Sequence, residues 1–128
     1  MRKKPVATSA VSIAILVAGV GLASAEDIDH GRRVFRLCVA CHVADSDTNK
    51  FGPHLKGVFG RRAGAVADFK YSQAMQAAGA GGLVWDDASL SEFLYSPRKK
   101  VPGTSMSFGG LWTSSEIADL IAYLRTNP

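Results

Sequence analysis

Two cysteines three positions apart, with a histidine directly behind the second, carry the clearest chemistry in this 128-residue chain: Cys38-Val39-Ala40-Cys41-His42. On one turn of helix each sulfur can form a thioether to a vinyl carbon of the same porphyrin, while the next side chain reaches the iron from below. His42 is then the proximal ligand through a neutral ring nitrogen. The Cys-x-x-Cys spacing alone also suits a thioredoxin-like redox pair or half of a zinc site. Zinc would need two more Cys or His ligands at a second paired site, and there is no third cysteine. A redox pair of that kind would need a βαβ pattern around the motif, and none is visible. The motif therefore reads as the attachment site of one covalent haem c, held through Cys38 and Cys41.

Iron bound by one histidine either takes a sixth ligand or keeps an open position, which separates an electron carrier from a gas binder or peroxidase. Met1 is lost with the leader described below, leaving Met75, Met106, His30 and His54. His30 is expected on a solvent-facing side of the first helix. His54 lies only twelve residues past His42, in a loop that can hardly reach the opposite face of the porphyrin. Met75 falls on a short amphipathic piece, where methionine more often fills core. Met106, in Pro102-Gly103-Thr104-Ser105-Met106, comes sixty-four residues after His42, enough chain to pass round the haem and return on its other side.

The elements that must position these residues are helical, because long alternating runs of Val, Ile and Thr are missing. A first helix is expected from about Asp27 to Cys41, and a short second one after Ser72, ending before Gly79. The third starts at Asp86 or Asp87, presents Leu90, Phe93 and Leu94 on one side, and stops before Pro97. In the fourth, Thr113 and Glu116 form a capping-box pattern, and Ile117, Leu120, Ile121 and Leu124 follow helical spacing. Gly- and Pro-rich loops over residues 45–64 and 97–110 are long enough to wrap around something.

Arg2, Lys3 and Lys4, an uncharged stretch and Ala23-Ser24-Ala25 make residues 1–25 a cleavable secretory signal, so residues 26–128 form one domain of 103 residues exported to the periplasm. An uncleaved anchor is the alternative, less favoured by the Ser, Thr and Gly content of the stretch. Export suits the cysteines, since covalent haem attachment is expected outside the cytoplasm. Three of the fifteen basic residues leave with the signal and all eleven acids stay, so the formal charge falls from +4 to +1. That excludes nucleic acid as a partner. A domain this small has a marginal core unless something large and apolar is added, and a haem is such an addition.

With these residues in order, the chain resembles the class I cytochromes c, in the cytochrome c2 and mitochondrial-like branch, over essentially all of residues 26–128. Gly31 and Phe35 resemble a first-helix pair that packs on the terminal helix at Leu120 and Tyr123. Gly52-Pro53-His54-Leu55 is similar to a Gly-Pro-Asn-Leu segment whose proline carbonyl accepts the proximal histidine's second N–H. The resemblance makes Arg61 the guanidinium of a propionate-covering loop, and Tyr71 and Trp85 propionate partners. Thr104 and Met106 belong to the ligand loop, and Met106 becomes the distal ligand. Two departures stand out: Met75 and Phe93 occupy places where relatives often have Asn and Tyr, and His54 replaces Asn.

The resemblance implies an all-α, small cytochrome c fold of about four helices with long loops around one haem. It implies an electron-transfer protein, not an enzyme: a soluble, monomeric one-electron shuttle from a bc1-type complex to a terminal oxidase or photosynthetic reaction centre. Docking would use Lys50, Lys70, Arg98, Lys99 and Lys100 against acidic partners. The competing readings are a haem enzyme or sensor in which a ligand displaces Met106, and a haem-binding subunit of a larger complex. Nothing in the chain resembles the distal acid–base pair that the first of these needs.

Overall fold

The structure is a computed structural model that describes residue 2 and residues 25–128. The signal expected over residues 1–25 lies, apart from residues 2 and 25, outside the described residues. Asp27 opens α1 (Ile28–Val34), its carboxylate accepting the His30 backbone N–H at 2.8 Å. Phe35–Leu37 then tighten into a 3-10 turn. Beyond it the Cys38 carbonyl accepts the N–H groups of Cys41 at 3.0 Å and His42 at 2.9 Å. The single helix expected as far as Cys41 is thus three successive pieces, the last a hydrogen-bonded turn that presents the Cys-x-x-Cys-His residues.

α2 (Gln73–Ala80) is capped by Ser72, whose hydroxyl accepts from Met75 N–H at 3.1 Å, and it runs through Gly79 to end at Gly81. α3 (Asp87–Tyr95) begins with a reciprocal pair: Asp86 accepts the Ser89 N–H and Ser89 accepts the Asp86 N–H. α4 (Pro97–Lys100) is a single turn that the sequence reading did not foresee. Proline is suited to open it, because a first-turn N–H has no intrahelical partner to lose. α5 (Ser114–Arg125) starts after Thr113 as expected, but the Thr113 side chain makes no capping bond. Thr113, Ser114 and Ser115 are exposed, so water can satisfy the free N–H groups there. Among the described residues there is no strand, only an isolated antiparallel bridge between Arg62 and Val84.

The frame is the crossing of α1 on α5, with α3 also packed on α5. A Cβ on Gly31 would come within 1.9 Å of the Asp119 carbonyl oxygen and 3.0 Å of the Tyr123 Cβ, so only glycine allows this approach. Phe35 and Tyr123 close the same crossing with ring centroids 5.5 Å apart. Leu120 and Ile121 are the deepest side chains of α5. His30 departs from expectation: it faces α5, where its Nδ1 lies 2.7 Å from the Asp119 carboxylate. That carboxylate also accepts the Asp27 N–H at 2.7 Å, so a buried acid draws the imidazole inward.

Candidate functional site

A cavity of about 380 Å3 opens between the Cys38–His42 turn, α2, α3, α5 and the loop that carries Met106. Its walls are mainly apolar, with Phe35, Val58, Trp85, Leu90, Phe93 and Leu94 among them. Cys38, Cys41 and His42 line one part, and Thr104, Met106 and Phe108 line another. The structure therefore gathers around one space residues that lie up to eighty-nine positions apart in the chain, from Phe35 to Leu124.

His42 is held by its neighbours. Its Nδ1–H donates to the Pro53 carbonyl at 2.7 Å, which fixes the ring and leaves Nε2 for the cavity. A Cβ on Gly52 would approach the ring's Cε1 to 2.3 Å, so glycine is required beside the imidazole. Burial lowers the His42 pKa, the Pro53 bond partly opposes this, and the cations Arg61 and Lys50 lower it further. The ring is thus neutral near pH 7, the form that coordinates a metal. Cys38 is half-buried and Cys41 exposed. Burial, and secondarily the Cys41 charge, push the Cys38 thiol up to about 11.

Arg61 is half-buried on the cavity wall, and its guanidinium donates to the carbonyls of His54 at 2.9 Å and Lys56 at 3.1 Å. No carboxylate lies within ion-pair distance of it among the described residues. Burial lowers its pKa, yet it stays charged. A cation in such a place calls for an anionic group inside the cavity. Tyr71 lines the same space, with its hydroxyl accepting the Val66 N–H at 3.2 Å, and Trp85 packs on Phe93 with centroids 4.9 Å apart. Thr104 Oγ1 accepts the Met106 N–H at 3.3 Å, tying this loop to itself.

All nine residues singled out in the sequence as haem or metal contacts line this cavity: Cys38, Cys41, His42, Pro53, Arg61, Tyr71, Trp85, Thr104 and Met106. Met75 lines it as well as filling core, so two thioethers face the space. His54 does not line it, and its Nδ1 is buried without a partner. Sequence reasoning missed the loop aromatics Phe51 and Phe69. Phe51 is 88% exposed at the mouth, and a lone aromatic between Lys50 and Gly52 gives no periodic signal. The donor set fits a flat apolar group with anionic arms: two thiols, one free imidazole nitrogen, thioethers, an unneutralised guanidinium and apolar walls.

Three comparisons bear on this arrangement. The sequence model of the cytochrome c family matches residues 28–128. The chain is 48% identical over 97 residues to a cytochrome c2 of Afifella marina, covering 75% of this chain and 78% of that protein. It is 44% identical over 99 residues to a cytochrome c2 of Agrobacterium tumefaciens, covering 77% and 89%. Among solved structures it superposes on cytochrome cH from Methylobacterium extorquens with TM-score 0.72 at 42% identity, covering 78% of this chain and 98% of that one.

Proposed function

Because the chain belongs to the cytochrome c family, we propose that it is a periplasmic shuttle in which His42 and Met106 ligate one haem anchored by Cys38 and Cys41. Membership makes it a class I c-type cytochrome with covalently bound haem c, and an electron-transfer protein rather than an enzyme. The observation that carries the finer reading is the convergence of His42, with one ring nitrogen already committed, and the Met106 thioether on a single apolar cavity.

The bound group supplies a one-electron ferric/ferrous couple. The protein does the rest. Cys38 and Cys41 would hold the group covalently, Pro53 aims the His42 ring, and Thr104 steadies the loop whose Met106 would serve as the second ligand. Arg61, Tyr71 and Trp85, which line the same cavity, would receive the propionates. The apolar walls exclude water and, with a thioether ligand, favour the ferrous form, so a positive potential is expected. With His42 and Met106 both supplied by the chain, ligation would not need to change between redox states, which would favour fast outer-sphere transfer. No acid and no second histidine line the cavity among the described residues, and this favours a carrier over a peroxidase or gas sensor.

Electrons would come from a bc1-type complex and go to a terminal oxidase or reaction centre. The export leader over residues 1–25 puts the mature domain, residues 26–128, in the periplasm. Lys70, Arg98 and Lys99 are exposed and make no ion pair among the described residues, which suits docking to acidic partners. Lys50 donates to the Val39 carbonyl, and Lys100 is paired with Glu92, so Lys100 offers less charge to a partner.

Replacing Met106 tests the ligand assignment. Met106→Ala should keep the haem, lose the methionine-to-iron absorption band, lower the potential and let the reduced protein bind carbon monoxide. If the variant kept its low-spin methionine spectrum, Met75 or another group would be the ligand.

A further inference from the structure

Arg125, in the last turn of α5, touches three separate pieces of the chain. Its guanidinium lies over the Phe59 ring, 4.4 Å from the centroid, pairs with the Asp87 carboxylate at the start of α3, and comes within 3.9 Å of the Glu26 carboxylate. Two of these contacts flank residues of the cavity wall: Phe59 is two positions before Arg61, and Asp87 two positions after Trp85. Residues 60–63 and 83–85 run antiparallel as a short ribbon. Gly60 N–H donates to the Trp85 carbonyl at 2.6 Å, Trp85 N–H to the Arg61 carbonyl at 2.9 Å, and Ala63 N–H to the Leu83 carbonyl at 2.9 Å. A pair of segments this short is marginal in water unless something packs on it. At the Ala63 end α2 does so, since a Cβ on Gly79 would come within 2.0 Å of the Ala63 carbonyl oxygen. At the other end, Arg125 bridges the two segments.

We propose that Arg125 is a positioning residue for the cofactor site: it clasps the open end of the ribbon that carries Arg61 and Trp85, and so sets where the Arg61 guanidinium stands. The proposal rests on the reading of Arg61 as partner to the propionates. Arg61 is anchored only through carbonyls of its own loop, those of His54 and Lys56, so its place follows the path of residues 54–61. A guanidinium suits the clasp because its flat face lies on Phe59 while its two edge nitrogens meet carboxylates from different segments. The end of α5 holds the same loop once more, the Gly57 N–H donating to the Asn127 carbonyl at 2.7 Å. A cation fixed beside the haem opposes the extra positive charge of the ferric form. Releasing the clasp should therefore lower the midpoint potential through Arg61.

The test is a double-mutant cycle on the holoprotein, read by potentiometry and amide exchange. Arg125→Gln, with its visible spectrum unchanged, should lower the midpoint by less than Arg61→Gln does, and should lower it no further in the Arg61→Gln background. Equal lowering in both backgrounds would mean that Arg125 acts through its own field, and overturns the proposal. Phe59→Leu removes the stacked ring and leaves every charge in place, and it should lower the midpoint as well. A lower melting temperature with an unmoved midpoint in Arg125→Gln and Phe59→Leu makes Arg125 a structural tie only, and also overturns the proposal. The Gly60 and Trp85 amides should exchange about tenfold faster in both variants, while the Leu111 amide, bonded to the Leu94 carbonyl away from the ribbon, keeps its protection. If Arg61→Gln itself leaves the midpoint unmoved, the failure lies in the propionate reading. The clasp is then decided by exchange alone, and unchanged rates at Gly60 and Trp85 overturn it.

Discussion

Phe93 lies buried on the cavity wall, its ring 4.9 Å from that of Trp85, at the position that the sequence resemblance matches to a tyrosine. A phenol there could donate to the Met106 thioether and, with that sulfur ligating iron as proposed, reduce its electron donation, whereas Phe93 cannot. Phe93→Tyr should therefore raise the potential modestly if the new hydroxyl reaches the Met106 sulfur, such a bond being worth about 1 kcal/mol. If it finds no partner, the buried hydroxyl costs about 1 to 3 kcal/mol and the melting temperature falls instead. Potentiometry and thermal melting on the same sample separate the two outcomes, and no change in either would mean that Phe93 does not face the sulfur. Cys41→Ser should leave a single thioether, read as a shifted alkaline pyridine haemochrome band; an unshifted band would remove Cys41 from the attachment. At this scale the sequence was informative where the chemistry is local, as in Cys38 to His42 or the Pro53 carbonyl. It was silent where the site comes from convergence: Phe51 and Phe69 look like isolated loop aromatics until the fold brings them to the same cavity.

Between α1 and α5, close approach and a buried acid work together. Gly31→Val would force a side chain into the Asp119 backbone, and overpacking of this kind costs typically 1 to 3 kcal/mol or more. The variant should melt well below the parent. Asp119 is held below the ordinary carboxylate range, first by the Asp27 N–H and then by His30. A carboxyl with a lowered folded pKa stabilises the protein at pH above its unfolded value, about 3.9, and loses that contribution as pH falls through the folded value. Asp119→Asn should therefore lower the melting temperature at pH 7, and the gap from the parent should close as pH drops below about 4. Parallel melting curves down to pH 3 would show that the carboxylate plays no such part. The helix ends show why elements were only partly legible. The Thr113 and Glu116 pattern did not become a capping bond because that terminus faces water. The bond pair that did form, between Asp86 and Ser89, uses Ser where the usual pattern has Glu or Gln. α4 is too short to show any periodicity, and the break of the first helix at Phe35 answers to the geometry of the cysteine turn rather than to propensity.

Taken whole, the molecule has a core that is half a cofactor wall. Of the sixteen buried residues in the apolar cluster, nine also line the cavity, from Phe35 through Trp85 and Phe93 to Leu124. The helical class was legible because long alternating runs of Val, Ile and Thr are missing, and the wrapped loops because a chain this short with long Gly- and Pro-rich segments has too little core of its own. The loop paths were not, since no periodic pattern governs residues 42–72 and their course depends on what they enclose. Without a group filling it, the apolar wall of this open cavity would face water and the loops around it would lose their packing partner. A small domain has only about 5 to 15 kcal/mol of stability to lose. The α1–α5 crossing, by contrast, rests on direct contacts through Gly31, Phe35, Leu120 and Tyr123. The cofactor-free Cys38→Ser/Cys41→Ser protein is therefore expected to lose cooperative unfolding and most hydrogen-exchange protection in α2 and α3, while amides of α5 retain part of theirs. Far-UV circular dichroism and amide exchange on that variant are the measurements. A sharp melting transition within a few degrees of the holoprotein would mean that the cavity closes on itself and that the fold does not depend on what fills it.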